Sequence, residues 1–192
     1  ALLSLLAMVL VLVRIPGGRD LAAPVQTGIL KTFKKMLGNR RITGTLLSRL
    51  ATMVIMSPTF GFAPILMTRE LNSTGFQIGA VIAIRTLANA SLQTPFGKLK
   101  KKKNKVVIIA TGSLVMSVAV FSIPFAATFA QLLVIYLILG VSEAAVLPAL
   151  GAFAVAEGRD YGQGSMMGIF NMSMSLGVLV GSMIGGSLMD LL

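Results

Sequence analysis

Long apolar runs dominate this sequence of 192 residues and restrict the folds that it can adopt. Five are long enough to cross a membrane, at about 44–68, 76–97, 106–126, 131–156 and 165–192, and a shorter one occupies 1–13. A bilayer core of about 30 Å takes about 20 residues of helix. The runs are too long and continuous for barrel strands, and only helices or closed barrels satisfy the backbone in lipid. The sequence therefore predicts an all-α, polytopic transmembrane helix bundle with about five full spans and one truncated span.

Composition excludes several other classes of protein. Hydrophobic residues make up 55% of the chain and charged residues 12%, where soluble domains carry about 25% charged residues. The net charge of +11 lies mostly in loops, so topology explains it and no nucleic acid partner is expected. The chain has no Cys and no His, which predicts no disulfide, metal or other cofactor. No catalytic motif occurs, so we do not expect an enzyme.

The loops between the runs alternate in charge. Lys and Arg crowd the loops 14–43 and 98–105, and loops rich in these residues stay cytoplasmic. The protein is predicted to lie in a cell membrane, plasma or inner. These two loops and 157–164 would face the cytoplasm, and 69–75 and 124–130 would face the outside. The chain is thus divided into the end of a transmembrane helix (1–13), a basic cytoplasmic linker (14–43) and a transmembrane bundle (44–192). Because both ends fall within apolar runs, we expect a fragment of a longer protein.

One stretch of the linker has helical periodicity. Ile29, Phe33, Met36 and Leu37 recur at helical spacing with lysines between them, which predicts a short amphipathic helix on the membrane surface. A solvated linker that only obeys the charge rule is the alternative.

Two ionisable residues, Arg85 and Glu143, lie near the middle of their runs, where a charge costs roughly 2.5–3.5 kcal/mol on insertion scales. Such residues face protein or water and often mark a solute or proton path. Asn89 and Gln93 follow Arg85 at intervals of four and share its helix face, and Tyr136 shares the face of Glu143. These residues are predicted to contact solute or exchange a proton. The alternative is a buried ion pair that only holds two helices together.

Two other runs contain residues that shape helices. Pro58, Gly61 and Pro64 fall within eight residues, which predicts a kinked or broken helix at membrane depth. The last run repeats glycine at every fourth position, which lets another helix approach closely; its glycines are Gly177, Gly181 and Gly185, with Gly186 alongside. Asn171 in the same run is a candidate cavity residue. Arg49, near the end of its run, is predicted to extend toward the lipid headgroups.

Two stretches together resemble the major facilitator superfamily. The stretch 84–105 reads IRTLANASLQTPFGKLKKKKNK, and its Gly97, Leu99 and basic end resemble the short cytoplasmic loop signature of that family. Lys101 stands in place of the family's aspartate. The glycines of the last run resemble a pattern of antiporter members, with Ser182 in place of proline.

The resemblance implies the C-terminal half of such a transporter: the end of helix six, the central linker and helices seven to eleven. Arg85, Glu143 and Asn171 would then lie on helices that line a cavity, and an N-terminal six-helix half would be a further partner.

The leading hypothesis from sequence is a secondary transporter of small molecules that works by alternating access. Its expected activity is proton-coupled efflux of drug-like or amphiphilic solutes, with protons and membrane lipid as partners. A first alternative is an uptake carrier for a sugar or organic anion, in which Arg85 contacts the anion. A second alternative is a scaffold or assembly subunit that transports nothing, in which Arg85 and Glu143 are buried against each other.

Overall fold

The computed structural model describes residues 29–98 and 102–191, and this part of the chain is helical without a strand. The prediction of an all-α membrane bundle is confirmed. The helices are α1 (Ile29–Leu37), α2 (Arg40–Gly61), α3 (Ala63–Glu70), α4 (Gly75–Gly97), α5 (Lys102–Ser122), α6 (Phe129–Glu157) and α7 (Gln163–Leu191), with a 3₁₀ turn at Ile123–Phe125.

Three of the described helices are long and apolar enough to cross a membrane by themselves, namely α5 with its 3₁₀ turn, α6 and α7. The bent pair α2–α3 would make a fourth span. α4 has 23 residues, which is about 35 Å of helix, but it does not reach the same hydropathy. Its polar residues, Arg85 among them, explain the difference, because each of them lowers the mean hydropathy of the helix.

The break predicted within the run 44–68 is present. α2 ends at Gly61, and α3 continues at an angle of 43° to it. Pro58 lies inside α2 and Pro64 lies in the first turn of α3, where a missing backbone N–H is tolerated. The Phe62 N–H donates to the carbonyl of Pro58 at 2.9 Å, so one helical hydrogen bond still bridges the break.

Side-chain caps define where two of the helices begin. Thr74 precedes α4 and forms a capping box with Gln77, and Thr128 forms the same box with Gln131 before α6. Each box satisfies N–H groups that the first helical turn cannot pair, so both helices begin within two residues of the predicted positions.

Each of the three main helix pairs has a glycine at its closest approach. These pairs are α4 with α6, α2 with α7, and α5 with α6. A Cβ at Gly140 would collide with the backbone of α4, one at Gly177 with the backbone of α2, and one at Gly112 with the Val146 side chain. Without a hydrophobic force between helices in lipid, such close contacts supply the packing energy.

The predicted linker and its neighbours are partly described. The helix predicted around 29–37 is confirmed as α1, and Met36 on it is fully buried. α2 begins at Arg40 after an Asn39 cap, four residues before the predicted apolar run, and the linker boundary at residue 43 stays a prediction. The predictions for 1–13, for 14–28 and for 99–101 in the basic loop lie outside the described residues.

Candidate functional site

Arg85 and Glu143 contact each other inside the bundle. The Arg85 Nε donates to Glu143 Oε1 at 3.0 Å, and the Nη2 of the same guanidinium donates to the same oxygen. Only 2% of Arg85 and 5% of Glu143 are exposed. The sequence left open whether these residues pair, and the structure shows that they form an ion pair between α4 and α6.

A third helix completes the surroundings of the pair. The Arg85 Nη1 donates to Thr59 Oγ1 of α2 at 2.8 Å, and the Thr59 hydroxyl itself donates to the Met56 carbonyl at 2.7 Å. The buried Tyr136 hydroxyl of α6 donates to the Thr59 carbonyl at 3.1 Å. The chain around Thr59 therefore links the charge pair to α2 through both its side chain and its backbone.

Two aromatic rings lie near the Arg85 guanidinium, Tyr136 at 5.9 Å from its Cζ to the ring centre and Phe60 closer. The Arg85 Cζ lies 4.1 Å from the centre of the Phe60 ring, and a guanidinium this close to a ring face is stabilised by the ring's charge distribution. Phe60 is 60% exposed.

Gly140 explains why the charges can meet. A Cβ at this position would overlap the carbonyl oxygen of Arg85, and it would lie 3.0 Å from the Ala88 side chain. The two backbones therefore touch at the residue that carries the cation. Glu143 is three residues further along α6, so it lies on the same face of that helix.

The remaining residues of the predicted site are placed differently. Asn89 joins the pair, because its Nδ2 donates to Glu143 Oε2 at 2.9 Å. Gln93 and Asn171 are exposed, and neither has a described side-chain hydrogen bond to the pair. The spacing of four correctly placed Asn89 beside Arg85, but Gln93 lies two helical turns from the cation and so does not reach it.

The predicted packing residues lie mainly between α2 and α7. Cβ atoms at Gly177 and Gly181 would approach the backbone of α2, and one at Gly185 would meet the Phe62 ring at the α2–α3 break. Gly186 has looser contact with Phe62, and Gly97, at the end of α4, has only ordinary contact with Pro148. Across the same interface, the Ser57 and Ser182 hydroxyl oxygens are 2.7 Å apart.

Arg49 contacts α7, and its predicted extension toward the headgroups stays a prediction. α2 begins nine residues before it, so Arg49 lies about 13 Å along that helix. Its Nη2 lies 3.0 Å from the Met174 sulfur, and its Cζ lies 4.9 Å from the centre of the Phe170 ring. The guanidinium therefore turns inward onto α7.

Sequence reasoning missed three residues that contact the pair, Thr59, Met56 and Phe60. Thr59 stood out only as part of the broken helix. The available signal was that this break lies at about the same membrane depth as Arg85, where a hydroxyl needs a polar partner. Which helix faces Arg85 could not be read from the sequence.

The contacts of three helices depend on the charge of the Glu143 carboxylate. Glu143 accepts hydrogen bonds on both carboxylate oxygens, and the two donor residues, Arg85 and Asn89, both belong to α4. Protonation of the carboxylate would remove the charge that balances Arg85 and would convert one acceptor into a donor. Because Arg85 also bonds to Thr59, such a change would alter the contacts of α2, α4 and α6 together.

Comparison with known proteins adds a family to this geometry. The family model described as Major Facilitator Superfamily matches residues 42–192, which include α3 to α7 and all but the first two residues of α2. The chain belongs to the Major Facilitator Superfamily. This family consists of transporters rather than enzymes, which agrees with the absence of a catalytic motif in the sequence. The residues of the charge pair and their contacts on α2 all lie inside the matched region.

A relative within the superfamily supports the assignment. An uncharacterised MFS-type transporter from Methanocaldococcus jannaschii is 30% identical over 131 residues, which are 67% of this chain and 34% of that protein. The chain therefore spans about a third of the length of this curated relative. No solved structure matches the chain.

Proposed function

We propose that this chain forms part of a secondary transporter that exports small amphiphilic solutes in exchange for protons. The observation that supports it best is the ion pair between Arg85 and Glu143, which is buried near the middle of two spans and hydrogen-bonded to a third helix. Ionisable groups at this depth commonly form proton relays or solute paths in transporters. Membership of the Major Facilitator Superfamily supports the same general activity.

Coupling would follow from competition for the Glu143 carboxylate. In the described state, Arg85 and Asn89 hold both of its oxygens. A proton on Glu143 weakens both contacts and frees α4 to shift against α6. Alternating access requires such a link between occupancy and helix arrangement. A solute that binds beside Phe60 would favour one arrangement over the other, because this ring lies directly on the guanidinium.

The alternative in which Arg85 itself binds an anionic solute receives less support. Nε and both terminal nitrogens of Arg85 already donate to Glu143 or Thr59, so an incoming anion would have to displace a buried carboxylate. The scaffold alternative is favoured by one observation, since the two residues are buried in mutual contact as that role requires. A transport measurement separates the two.

The experiment uses the full-length protein in proteoliposomes with an imposed pH gradient. The probes are ethidium, a cationic amphiphile, and anilinonaphthalene sulfonate, an anionic one. We expect the wild-type protein to accumulate at least one probe against its gradient. Glu143→Gln should abolish accumulation but retain exchange of probe across the membrane at equal pH, because Gln cannot cycle a proton.

Glu70→Gln is the matched control, because Glu70 is an exposed carboxylate at the end of α3 and should transport as the wild-type protein does. Proton-driven accumulation that persists in Glu143→Gln would contradict the proposed role of this carboxylate. A folded protein that moves neither probe under any gradient would favour the scaffold.

A further inference from the structure

A second arginine in the bundle, Arg49, has no acidic partner among the described residues. Its described contacts are the Met174 sulfur and the face of the Phe170 ring. A thioether is a weak acceptor, and a guanidinium has five N–H donors to satisfy. Within the described part of the chain, the Arg49 Nε is buried and has no hydrogen-bond partner. Arg49 therefore differs from Arg85, whose donors reach a carboxylate and a hydroxyl.

Arg49 lies on the same face of α2 as two residues that contact Arg85. Met56 and Phe60 follow it by seven and eleven residues, and both intervals return to nearly the same direction around a helix. At 1.5 Å per residue, the distance along the axis from Arg49 is about 10 Å to Met56 and about 16 Å to Phe60. Met56 is buried, so this face is accessible only at its two ends, at the half-buried Arg49 and at the exposed Phe60 ring.

We propose that Arg49 binds the anionic group of the transported solute. The solute would be an amphiphilic organic anion, with a carboxylate or phosphate on Arg49 and an apolar part against the apolar helix surface around it. Carboxylates and phosphates match the planar guanidinium fork, which can donate two parallel hydrogen bonds. Met174 is a flexible side chain and can move away from the guanidinium when an oxygen ligand arrives.

This inference rests on the proposed transport function for the identity of the ligand, but it is tested by binding alone. The probes are 6-phenylhexanoate, 6-phenylhexanamide and 6-phenylhexylammonium, which share one apolar part and differ in charge. Equilibrium binding is measured on the purified full-length protein in a non-ionic detergent. We expect the carboxylate to bind at least about tenfold more tightly than the amide, and the ammonium to bind more weakly than either.

Variants assign this preference to a residue. Arg49→Gln should remove the preference for the carboxylate and leave amide affinity within about twofold, which also shows that the variant is folded. Arg49→Lys should retain part of the preference, because it keeps the charge but loses the fork. Arg40→Gln is the matched control, since Arg40 is an exposed arginine of the same helix and should not affect the preference.

Two results would overturn the proposal. The first is equal affinity of the wild-type protein for carboxylate and amide, which would mean that Arg49 is neutralised by another part of the full-length protein. The second is loss of carboxylate binding when the protein is moved to nanodiscs containing phosphatidylglycerol, which would assign the site to a lipid headgroup. Failure of transport with intact Arg49-dependent binding would contradict the proposed function and leave this site standing.

Discussion

The ion pair between Arg85 and Glu143 should make the stability of the bundle depend on both charges together. We consider three variants, Arg85→Met, Glu143→Gln and the double variant. Met is close to Arg in length and can pack against the Phe60 ring, and Gln retains an acceptor for Asn89. Each single variant leaves one buried charge without its partner, whereas the double variant leaves none.

The expected magnitude follows from burial. Both side chains are almost completely removed from solvent, so screening by water is negligible. Removing one partner of a buried ion pair costs about 3–5 kcal/mol, and a lone charge at mid-membrane costs about 2.5–3.5 kcal/mol on insertion scales. We expect each single variant to lower the free energy of unfolding by about 3–4 kcal/mol. The double variant should lose about 2 kcal/mol or less, because replacing both charges is often nearly neutral.

The assay measures reversible unfolding of the full-length protein in bicelles by steric trapping. Glu70→Gln serves as a surface control. The single losses together are about 6–8 kcal/mol, so the coupling energy of the double-mutant cycle should be about 4 kcal/mol or more, above the usual range for contacting residues. Additive losses would refute the argument, because they would mean that neither charge depends on the other for its compensation. A single variant as stable as the wild-type protein would refute it as well.

Two further predictions concern packing and topology. Gly140→Ala and Gly177→Ala should each lower the free energy of unfolding by about 1–3 kcal/mol, because the added methyl group meets the backbone of the facing helix. Gly168→Ala, where the added methyl group meets open space, should be neutral or slightly stabilising. Equal effects of the three variants in the same unfolding assay would contradict the close approach. Because the chain lacks cysteine, single cysteines report sidedness: Asn72→Cys should react with an impermeant maleimide in intact cells and Asp160→Cys only after permeabilisation, and the reverse pattern would invert the predicted topology.

Much of the fold could be read from local sequence. α4 to α7 begin and end within about four residues of the predicted runs, since hydropathy over about 20 residues and caps such as Thr128 are local properties. α2, like α5, begins four residues before its predicted run. The polar residues from Arg40 onward resemble a loop by composition and become helical through the Asn39 cap.

The sequence by itself determined that this chain forms membrane-spanning helices and that Arg85 and Glu143 lie near the middle of two of them. Both conclusions depend on position within one apolar run. Only the tertiary structure decided that these charges pair, that α2 supplies Thr59 and Phe60 to the pair, and that Arg49 has no acid beside it among the described residues. Partners depend on which helices are neighbours and how each is rotated, and glycines such as Gly140 set those contacts through backbone approach rather than through hydropathy.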